Sequence, residues 1–231
     1  MTPVLRGLSS KATAGLLADL ASRADHGPVP SLRFESAGGV EVADRVRAGE
    51  RADVLVLDDD VMRALDEEGL LVGGTRRPLF LSDVVVGVAE GSPVPDLRTV
   101  DDLMALLRSA ASVGYSTGPS GRALVAWVER AGLADEVGPR LVRARPGVPV
   151  ARLVAEGRCP VGIQQRSEMT GTPGVVVVGP LPGDAAITST FTGAVLASSE
   201  RPDDAARALA FLGSARVRAA VEAGGMRPAR S

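Results

Sequence analysis

The stretch that decides the fold runs from Phe34 to Leu57 and reads Phe-Glu-Ser-Ala-Gly-Gly-Val-Glu-Val-Ala-Asp-Arg-Val-Arg-Ala-Gly-Glu-Arg-Ala-Asp-Val-Leu-Val-Leu. A short extended run ends in Ser36-Ala37-Gly38-Gly39, apolar residues then recur at helical spacing as far as Gly49, and Val54–Leu57 is an all-apolar strand. The pattern predicts a β-turn-α-β unit whose turn exposes backbone N–H groups at a helix N-terminus, which favours an anion. A βαβ connection without any ligand has the same pattern, so the other strand ends of the chain must decide between the two interpretations.

Composition excludes several classes of protein. A chain of 231 residues forms one or two domains, and 45% hydrophobic residues with only 3% aromatics predict a core of Val, Leu and Ala. The 26 basic and 28 acidic residues give a net charge of −2 without a strip of Lys and Arg, so nucleic acid is not an expected partner. The single cysteine, Cys159, excludes an internal disulfide and a cysteine-based metal site. The single histidine, His26, lies in a surface-turn composition and is not assigned a catalytic role.

The N-terminal residues and the hydropathy of the chain bear on its location. Met1 to Arg6 lead into a predicted strand and lack the basic, apolar and small-residue regions of a secretory signal. No run reaches the ~18 apolar residues that a membrane-spanning helix needs, so no membrane partner is expected. We therefore expect a cytoplasmic protein. If a leader has been removed from this chain, a periplasmic or extracellular protein is expected instead.

Strands and helices alternate along the chain, which predicts an α/β fold with mostly parallel sheets. Two long extended segments, near residues 80–88 and 187–197, are typical of connections between lobes, and the first is expected to break at Ser82-Asp83. These segments predict a discontinuous first lobe of residues 1–82 and 192–231. They predict a second lobe of residues 83–191, inserted into the first.

Three groups of charged residues can be explained without a ligand. Thr99 is a helix cap that is followed by acidic residues in the first turn. The run Asp58-Asp59-Asp60 could suggest a metal, but Asp59 or Asp60 as the cap of the next helix accounts for it, and no metal site is predicted. A basic cluster around a strand is interpreted as a solvated face: Arg140, Arg143 and Arg145.

Turns rich in serine, threonine, glycine or amide groups recur at the ends of other predicted strands. Ligands of open α/β sheets bind beyond the carboxyl ends of the strands, so this repetition favours a ligand over a plain connection. We therefore predict one site for a small anion, in a cleft between the lobes. The predicted ligand-binding residues are Ser9, Ser10, Ser36, Gly38, Gly39, Asp58, Ser116, Thr117, Arg122, Gln164 and Gln165.

The sequence resembles the molybdate-type solute-binding proteins of ABC importers. The resemblance rests on Ser9-Ser10 after the first strand, the turn at residues 36–39, the run Arg47-Ala48-Gly49-Glu50-Arg51-Ala52-Asp53-Val54 and the closing segment Gly213–Arg218, and it covers nearly the whole chain. It implies a type 2 periplasmic-binding-protein fold, with two α/β lobes, two hinge strands and an anion in the cleft between them. By the same resemblance, the anion donors correspond to Ser9 or Ser10, Ser36, the Leu57-Asp58 strand end and Ser116-Thr117.

The chain departs from that family at the last donor position. The family usually has an aromatic hydroxyl there, whereas this sequence has Gln164-Gln165-Arg166-Ser167-Glu168, and a carboxylate such as Glu168 would repel a tetrahedral oxyanion. A related branch resembles aconitate isomerase, whose allylic proton shift needs donors for several carboxylates and a base. Lys11, Arg122 and Arg166 are predicted to supply positive charge, and Glu168 or Lys11 is the predicted catalytic base.

Three hypotheses about function follow. The leading one is a cytoplasmic isomerase of a small polycarboxylate such as aconitate. The alternatives are the molybdate- or oxyanion-binding component of an ABC transporter, whose permease would then be a partner, and a cytoplasmic oxyanion sensor without catalysis. Each of them expects a small anionic ligand, carboxylate or oxyanion, and no cofactor is predicted.

Overall fold

The computed structural model of the protein describes residues 4–24, 30–145 and 147–229. It divides into two compact units, which are Met1–Ser82 with Thr190–Ser231 (unit 1) and Asp83–Ser189 (unit 2). The prediction from sequence places the corresponding boundaries at 82/83 and 191/192. Helices alternate with strands in both units, which confirms the α/β class.

The bounds of the elements are as follows. The strands are β1 (Leu5–Ser10), β2 (Leu32–Ala37), β3 (Val54–Asp58), β4 (Arg77–Ala89), β5 (Val113–Tyr115), β6 (Leu141–Arg143), β7 (Val161–Gln165), β8 (Val175–Pro180), β9 (Thr188–Val195) and β10 (Arg227–Pro228). The helices are α1 (Ala14–Ala24), α2 (Gly39–Arg47), α3 (Asp59–Glu67), α4 (Val100–Ser109), α5 (Pro119–Arg130), α6 (Ala134–Val137), α7 (Val150–Ala155), α8 (Arg166–Met169), α9 (Pro202–Leu212) and α10 (Arg218–Ala223). Short 3-10 turns occur at Lys11–Thr13, Gly138–Arg140, Gly183–Ala185 and Ala215–Val217.

Unit 1 is built on a sheet in which β1 lies between β2 and β3 and is parallel to both. β9 runs antiparallel to β3, and β10 runs antiparallel to the first part of β4. The side chains of β3 alternate between two cores, with Val54 and Val56 in one and Leu55 and Leu57 in the other. Because helices cover both faces, Val54–Leu57 are all buried, which explains why these four residues are apolar.

Unit 2 repeats this arrangement with its own sheet. β5 lies between β6 and β7 and is parallel to both, and the second part of β4 is antiparallel to β7 and to β8. Val84 and Val86 of β4 belong to one core and Val85 to the other, so this strand is also covered on both faces. The parallel strands of each unit end at one edge of its sheet, where the predicted site residues follow.

Three local predictions can be compared with the structure. Thr99 forms a capping box with Asp102, with 3.2 Å from the Asp102 N–H to the Thr99 hydroxyl and 2.8 Å from the Thr99 N–H to the Asp102 carboxylate, which confirms the predicted cap. The break expected at Ser82-Asp83 is wrong, because β4 continues through it. The predicted cap of α3 is also wrong: Asp58 is the cap, and its carboxylate accepts the Asp60 N–H at 3.2 Å.

A network of ion pairs joins β1, β2 and α2 on unit 1. Arg6 pairs with Glu35 at 3.0 Å and with Glu50 at 2.5 Å, and Arg45 pairs with the same two carboxylates at 2.5 Å each. The hydrogen bond from Arg45 is the main cause that lowers the pKa of Glu50 to about 2; burial opposes this shift, and the hydrogen bond from Arg6 adds a smaller lowering effect. The network therefore ties the strand ends to the following helix through charges that persist well below neutral pH.

Candidate functional site

A pair of serine hydroxyls lies at the carboxyl ends of β1 and β2. Ser9 and Ser36 face each other in the parallel register, and their Oγ atoms are 2.7 Å apart. Ser9 is fully buried and Ser36 is half-buried. Each hydroxyl has a single proton, so while this hydrogen bond is made one of the two can donate to an anion. The structure brings these two predicted residues together.

The turns that follow these strands supply further donors on unit 1. Ser10 caps the 3-10 turn at Lys11–Thr13, and its hydroxyl accepts the Ala12 N–H at 3.3 Å. Gly38 is the N-cap of α2 and has no side chain that could accept the first N–H groups of this helix. These amides are the donors that a helix N-terminus offers an anion. Lys11 is exposed at the start of its turn.

The end of β3 is engaged in hydrogen bonds within unit 1. Asp58 caps α3, and the Asp59 carboxylate accepts the hydroxyl of Thr192 on β9 at 2.7 Å. Thr192 is completely buried. The predicted ligand role of Asp58 stays a prediction. Its carboxylate is a hydrogen-bond acceptor and accepts a backbone N–H of α3.

In unit 2, the connection from β5 to α5 is closely packed at Gly121. Ser116 and Ser120 have their Oγ atoms 3.0 Å apart. A Cβ atom at Gly121 would lie 1.8 Å from the Ser116 carbonyl oxygen, so only glycine allows this close approach. Gly118 precedes α5 without a side-chain cap, and Thr117 and Arg122 are exposed beside it. The geometry of this turn is therefore rigidly specified.

Gln164 has a structural role that the sequence analysis missed. The side chain is buried, and its Oε1 atom accepts the N–H groups of Val150 at 2.7 Å and Ala151 at 3.3 Å. A residue of β7 thus caps α7, whose own preceding residue is Pro149 and gives no side-chain cap. No local signal could have found this contact, because helix caps are expected from the residue just before the helix.

Gln165, the next residue, is in a different situation. Its Nε2 atom donates to the Ser189 hydroxyl at 2.7 Å, and only 4% of the residue is exposed. Its Oε1 atom is buried and accepts no hydrogen bond from any residue that the structure describes. The hydroxyl of Ser167 is likewise buried without a partner among these residues. Buried polar atoms are nearly always paired, so the end of β7 has unused hydrogen-bonding capacity.

Several arginines lie at the start of α5 and in or next to β6. Residues 115–128 and 137–155 contain no aspartate or glutamate. Arg122, Arg143 and Arg145 are exposed, and no described residue forms an ion pair with any of them. Arg140 differs, since it donates to the carbonyl oxygens of Arg108 and Ala110 at 2.7 Å each, so its interpretation as part of a solvated face is wrong. The carboxyl edge of the β5–β6 pair therefore has a positive field.

The other predicted residues are Arg166, Glu168 and His26. Arg166 and Glu168 are half-buried on α8, directly after β7. His26 lies outside the described residues. Among residues 4–24, 30–145 and 147–229, no cluster of His, Cys, Asp and Glu side chains could hold a metal ion. No helix in the described part of the chain is long and apolar enough to cross a membrane.

Comparison with known proteins identifies the family. The profile of the bacterial extracellular solute-binding protein family matches residues 5–227. The chain belongs to this family. A curated relative, the aconitate isomerase of a Pseudomonas species, is 29% identical over 218 residues, which is 94% of this chain and 79% of the relative.

Solved structures show that this solute-binding family member has the type 2 periplasmic-binding-protein fold. The periplasmic molybdate-binding protein of Azotobacter vinelandii has a TM-score of 0.82 at 16% identity, covering 98% of this chain and 100% of that one. The substrate-binding domain of a molybdenum ABC transporter described as putative, from Clostridium difficile, has a TM-score of 0.78 at 20% identity, covering 98% and 99%. The expectation of this fold is thereby confirmed.

In this solute-binding protein, the predicted donors therefore fall into two groups. Ser9, Ser36 and the turn at residues 38–39 lie together at one edge of the unit 1 sheet. The other group follows the parallel strands of unit 2. Sequence reasoning missed Ser189, which holds the amide of Gln165, because the two residues are 24 positions apart.

Proposed function

We propose that this member of the solute-binding family binds a small polycarboxylate and isomerises aconitate by an allylic proton shift. The observation that carries the proposal is the group of exposed arginines in the acid-free segments of unit 2 that form no ion pair with a described residue, namely Arg122, Arg143 and Arg145. A family member built only for a neutral-donor oxyanion site would not need them. The similarity to an aconitate isomerase along 94% of this chain supports the same substrate class.

The charge of the substrate explains why arginines are favoured. Aconitate carries three carboxylates near neutral pH, and the Ser9–Ser36 hydroxyls with nearby helix amides are suited to one of them. Guanidinium groups bind further carboxylates in a bidentate manner, which gives both charge neutralisation and orientation. A substrate with several carboxylates thus accounts for both kinds of donor.

The proposed reaction moves one proton and conserves all other atoms. A base breaks a C–H bond of the substrate methylene, and the electron pair spreads over the allylic carbons and onto a carboxylate. Return of a proton to the former vinyl carbon forms a new C–H bond and shifts the double bond, with no net oxidation or reduction. Glu168 and Lys11 are the candidate bases, and the arginines and amide donors would stabilise the added negative charge.

A second candidate function is the binding of an oxyanion without chemistry. It is supported by the neutral Ser9–Ser36 pair, since dehydrated tetrahedral oxyanions are suited to neutral donors, and by the fold shared with a molybdate-binding protein. In that case the protein would serve an ABC permease outside the membrane, or act as a sensor. The isomerase hypothesis places it in the cytoplasm, so cell fractionation is a supporting measurement.

Proton NMR of trans-aconitate in D2O with the purified protein tests the proposal. Isomerisation predicts that deuterium enters the substrate at the methylene and vinyl carbons while the cis isomer accumulates. Glu168→Gln or Lys11→Met should abolish this exchange, whereas the matched exposed substitution Glu129→Gln should not. Thermal stabilisation by molybdate or tungstate, together with no effect of aconitate and no exchange, would establish the oxyanion alternative instead. A ligand concentration of 100 times Kd should stabilise the protein by about 2.7 kcal/mol, and a thermal-unfolding scan resolves a difference of this size.

A further inference from the structure

The chain segment that carries Arg145 is held at its start by strand pairing. The Ala144 N–H donates to the Tyr115 carbonyl oxygen at 2.9 Å, which extends the pairing of β6 with β5 by one residue. Ala144 is buried, whereas Arg143 and Arg145 on either side of it are exposed. Because successive side chains of an extended chain point to opposite faces, both arginines project from the same face. Arg143 belongs to the paired strand, and Arg145 lies in the connection to α7.

A tight turn leads from Arg145 to α7. The Arg145 carbonyl oxygen accepts the Val148 N–H at 3.0 Å, and Pro149 then precedes the helix with a φ of −64°. The ring of a proline fixes φ, and the residue before a proline is restricted as well, so Val148 and Pro149 form a stiff connection. A change in the direction of the first turn of α7 is therefore transmitted to Arg145.

Gln164 fixes the other end of this turn. Its buried Oε1 atom accepts the N–H groups of Val150 at 2.7 Å and of Ala151 at 3.3 Å. Gln164 belongs to β7, which pairs with β4 on one side and with β5 on the other, whereas β6 lies at the end of the strand order. The Gln164 side chain thus ties a segment that leaves an edge strand to the middle of the unit 2 sheet.

We propose that Gln164 is a positioning residue for Arg145, which binds a carboxylate of the substrate. The cap fixes the first turn of α7, and the stiff connection carries this constraint to Arg145. Arg143 needs no such support, because strand pairing holds it. Two guanidinium groups held on one face are suited to two carboxylates of one ligand. The inference rests on the proposed function for the ligand, whereas the anchoring of the segment depends only on contacts within unit 2.

A double-mutant cycle in the binding of trans-aconitate tests the proposal. By calorimetry, we expect Arg145→Ala to weaken binding about 10–100-fold, the effect of losing charged hydrogen bonds, and Gln164→Met to weaken it about 3–10-fold. The double variant should bind within about 2-fold of Arg145→Ala alone, because Gln164 acts through Arg145. In combination with Arg143→Ala, the effect of Gln164→Met should instead multiply. Multiplication in both pairs would refute the positioning role.

The stability cost of losing a helix cap needs a separate control. Thr99→Ala removes the side-chain cap of α4, another helix of unit 2, and should leave the affinity for trans-aconitate within about 2-fold of wild type. Equal losses of affinity in Thr99→Ala and Gln164→Met would show that any lost cap in unit 2 weakens binding, and would overturn the proposal.

Amide hydrogen exchange tests the anchoring without a ligand. In the wild-type protein we expect the Val148 N–H to be protected as well as the Val150 N–H, because the turn and the helix cap open together. An unprotected Val148 amide would overturn the proposal even if Gln164→Met fails to fold. In the folded variant Gln164→Met both amides should lose protection, whereas Thr99→Ala should leave them protected. Retained protection in Gln164→Met would also overturn the proposal.

The two proposals can fail separately. If the wild-type protein binds no polycarboxylate while the protection of Val148 depends on Gln164, the proposed function is wrong and the anchoring of the segment stands. If it binds trans-aconitate and the effects of Gln164→Met and Arg145→Ala multiply, the proposed substrate class stands and the positioning role of Gln164 is wrong.

Discussion

Replacement of Gln164 by leucine tests the most unexpected structural contact in the protein. The substitution removes the only side-chain acceptor that the structure gives the N–H groups of Val150 and Ala151, and both residues are fully buried. Each buried N–H without an acceptor costs about 1–3 kcal/mol. Losing the short 2.7 Å hydrogen bond from Val150 should cost an energy in the upper part of that range, and losing the longer 3.3 Å bond from Ala151 an energy in the lower part. We therefore expect a loss of about 2–4 kcal/mol in the free energy of unfolding.

Urea denaturation followed by tryptophan fluorescence measures this loss. The single tryptophan, Trp127, is buried in the core of unit 2, so its emission reports on the unit that contains Gln164. With a urea slope of about 2 kcal/mol per molar, the middle of the usual range, the midpoint should fall by about 1–2 M.

The adjacent Gln165 provides a matched control. It is equally buried, but Gln165→Leu removes one side-chain hydrogen bond and also a carbonyl that has no described partner, so its stability should stay within about 1 kcal/mol of wild type. A loss below about 1 kcal/mol for Gln164→Leu, or equal losses for the two variants, would refute the role of Gln164 as a helix cap.

Two further substitutions test the surface network and the β5–α5 turn. Hydrogen bonds from Arg45 lower the folded-state pKa of Glu50 to about 2, so the carboxylate stabilises the fold above its unfolded pKa of 4.5 and loses this effect as the pH falls from 4.5 towards 2. The stability difference between wild type and Glu50→Gln should thus be under about 1 kcal/mol at pH 7 and vanish near pH 2, and a difference that grows in acid would contradict this. Gly121→Ala should destabilise unit 2 by at least about 2 kcal/mol in the same urea assay, because its Cβ would collide with the Ser116 carbonyl. Gly118→Ala, which has open space for a Cβ, should change stability by less than about 0.5 kcal/mol, and similar losses for both variants would refute the steric argument.

Local contacts were accessible from the sequence, and distant ones were not. The Thr99 cap was predicted correctly because its partner is only three residues away. The cap of α3 was assigned one or two residues too late within a run of three aspartates, where composition alone cannot distinguish the position. Arg140 was predicted to lie on a solvated face. Its acceptors include the main-chain oxygens of Arg108 and Ala110, and contacts to backbone acceptors cannot be predicted from residue types.

The candidate site divides in the same way. The Ser9–Ser36 pair could be expected, because parallel strands align their carboxyl ends and both serines lie near the ends of predicted strands. The separate roles of Gln164 and Gln165 could not, since neighbouring residues of a strand point to opposite faces and each face meets different partners. Whether the two groups of donors form one site between the units stays a prediction.

By itself, the sequence determined the α/β class and the order of most elements, and it predicted the strand ends at which the candidate donors lie. It did so because hydrophobic period, small-residue turns and capping residues are local properties, and the stretch from Phe34 to Leu57 contains all three. Only the tertiary structure decided which polar groups remain available. A glutamine that caps a helix and a glutamine with an unused carbonyl are identical in sequence, and they differ only in what distant strands bring within about 3 Å of them.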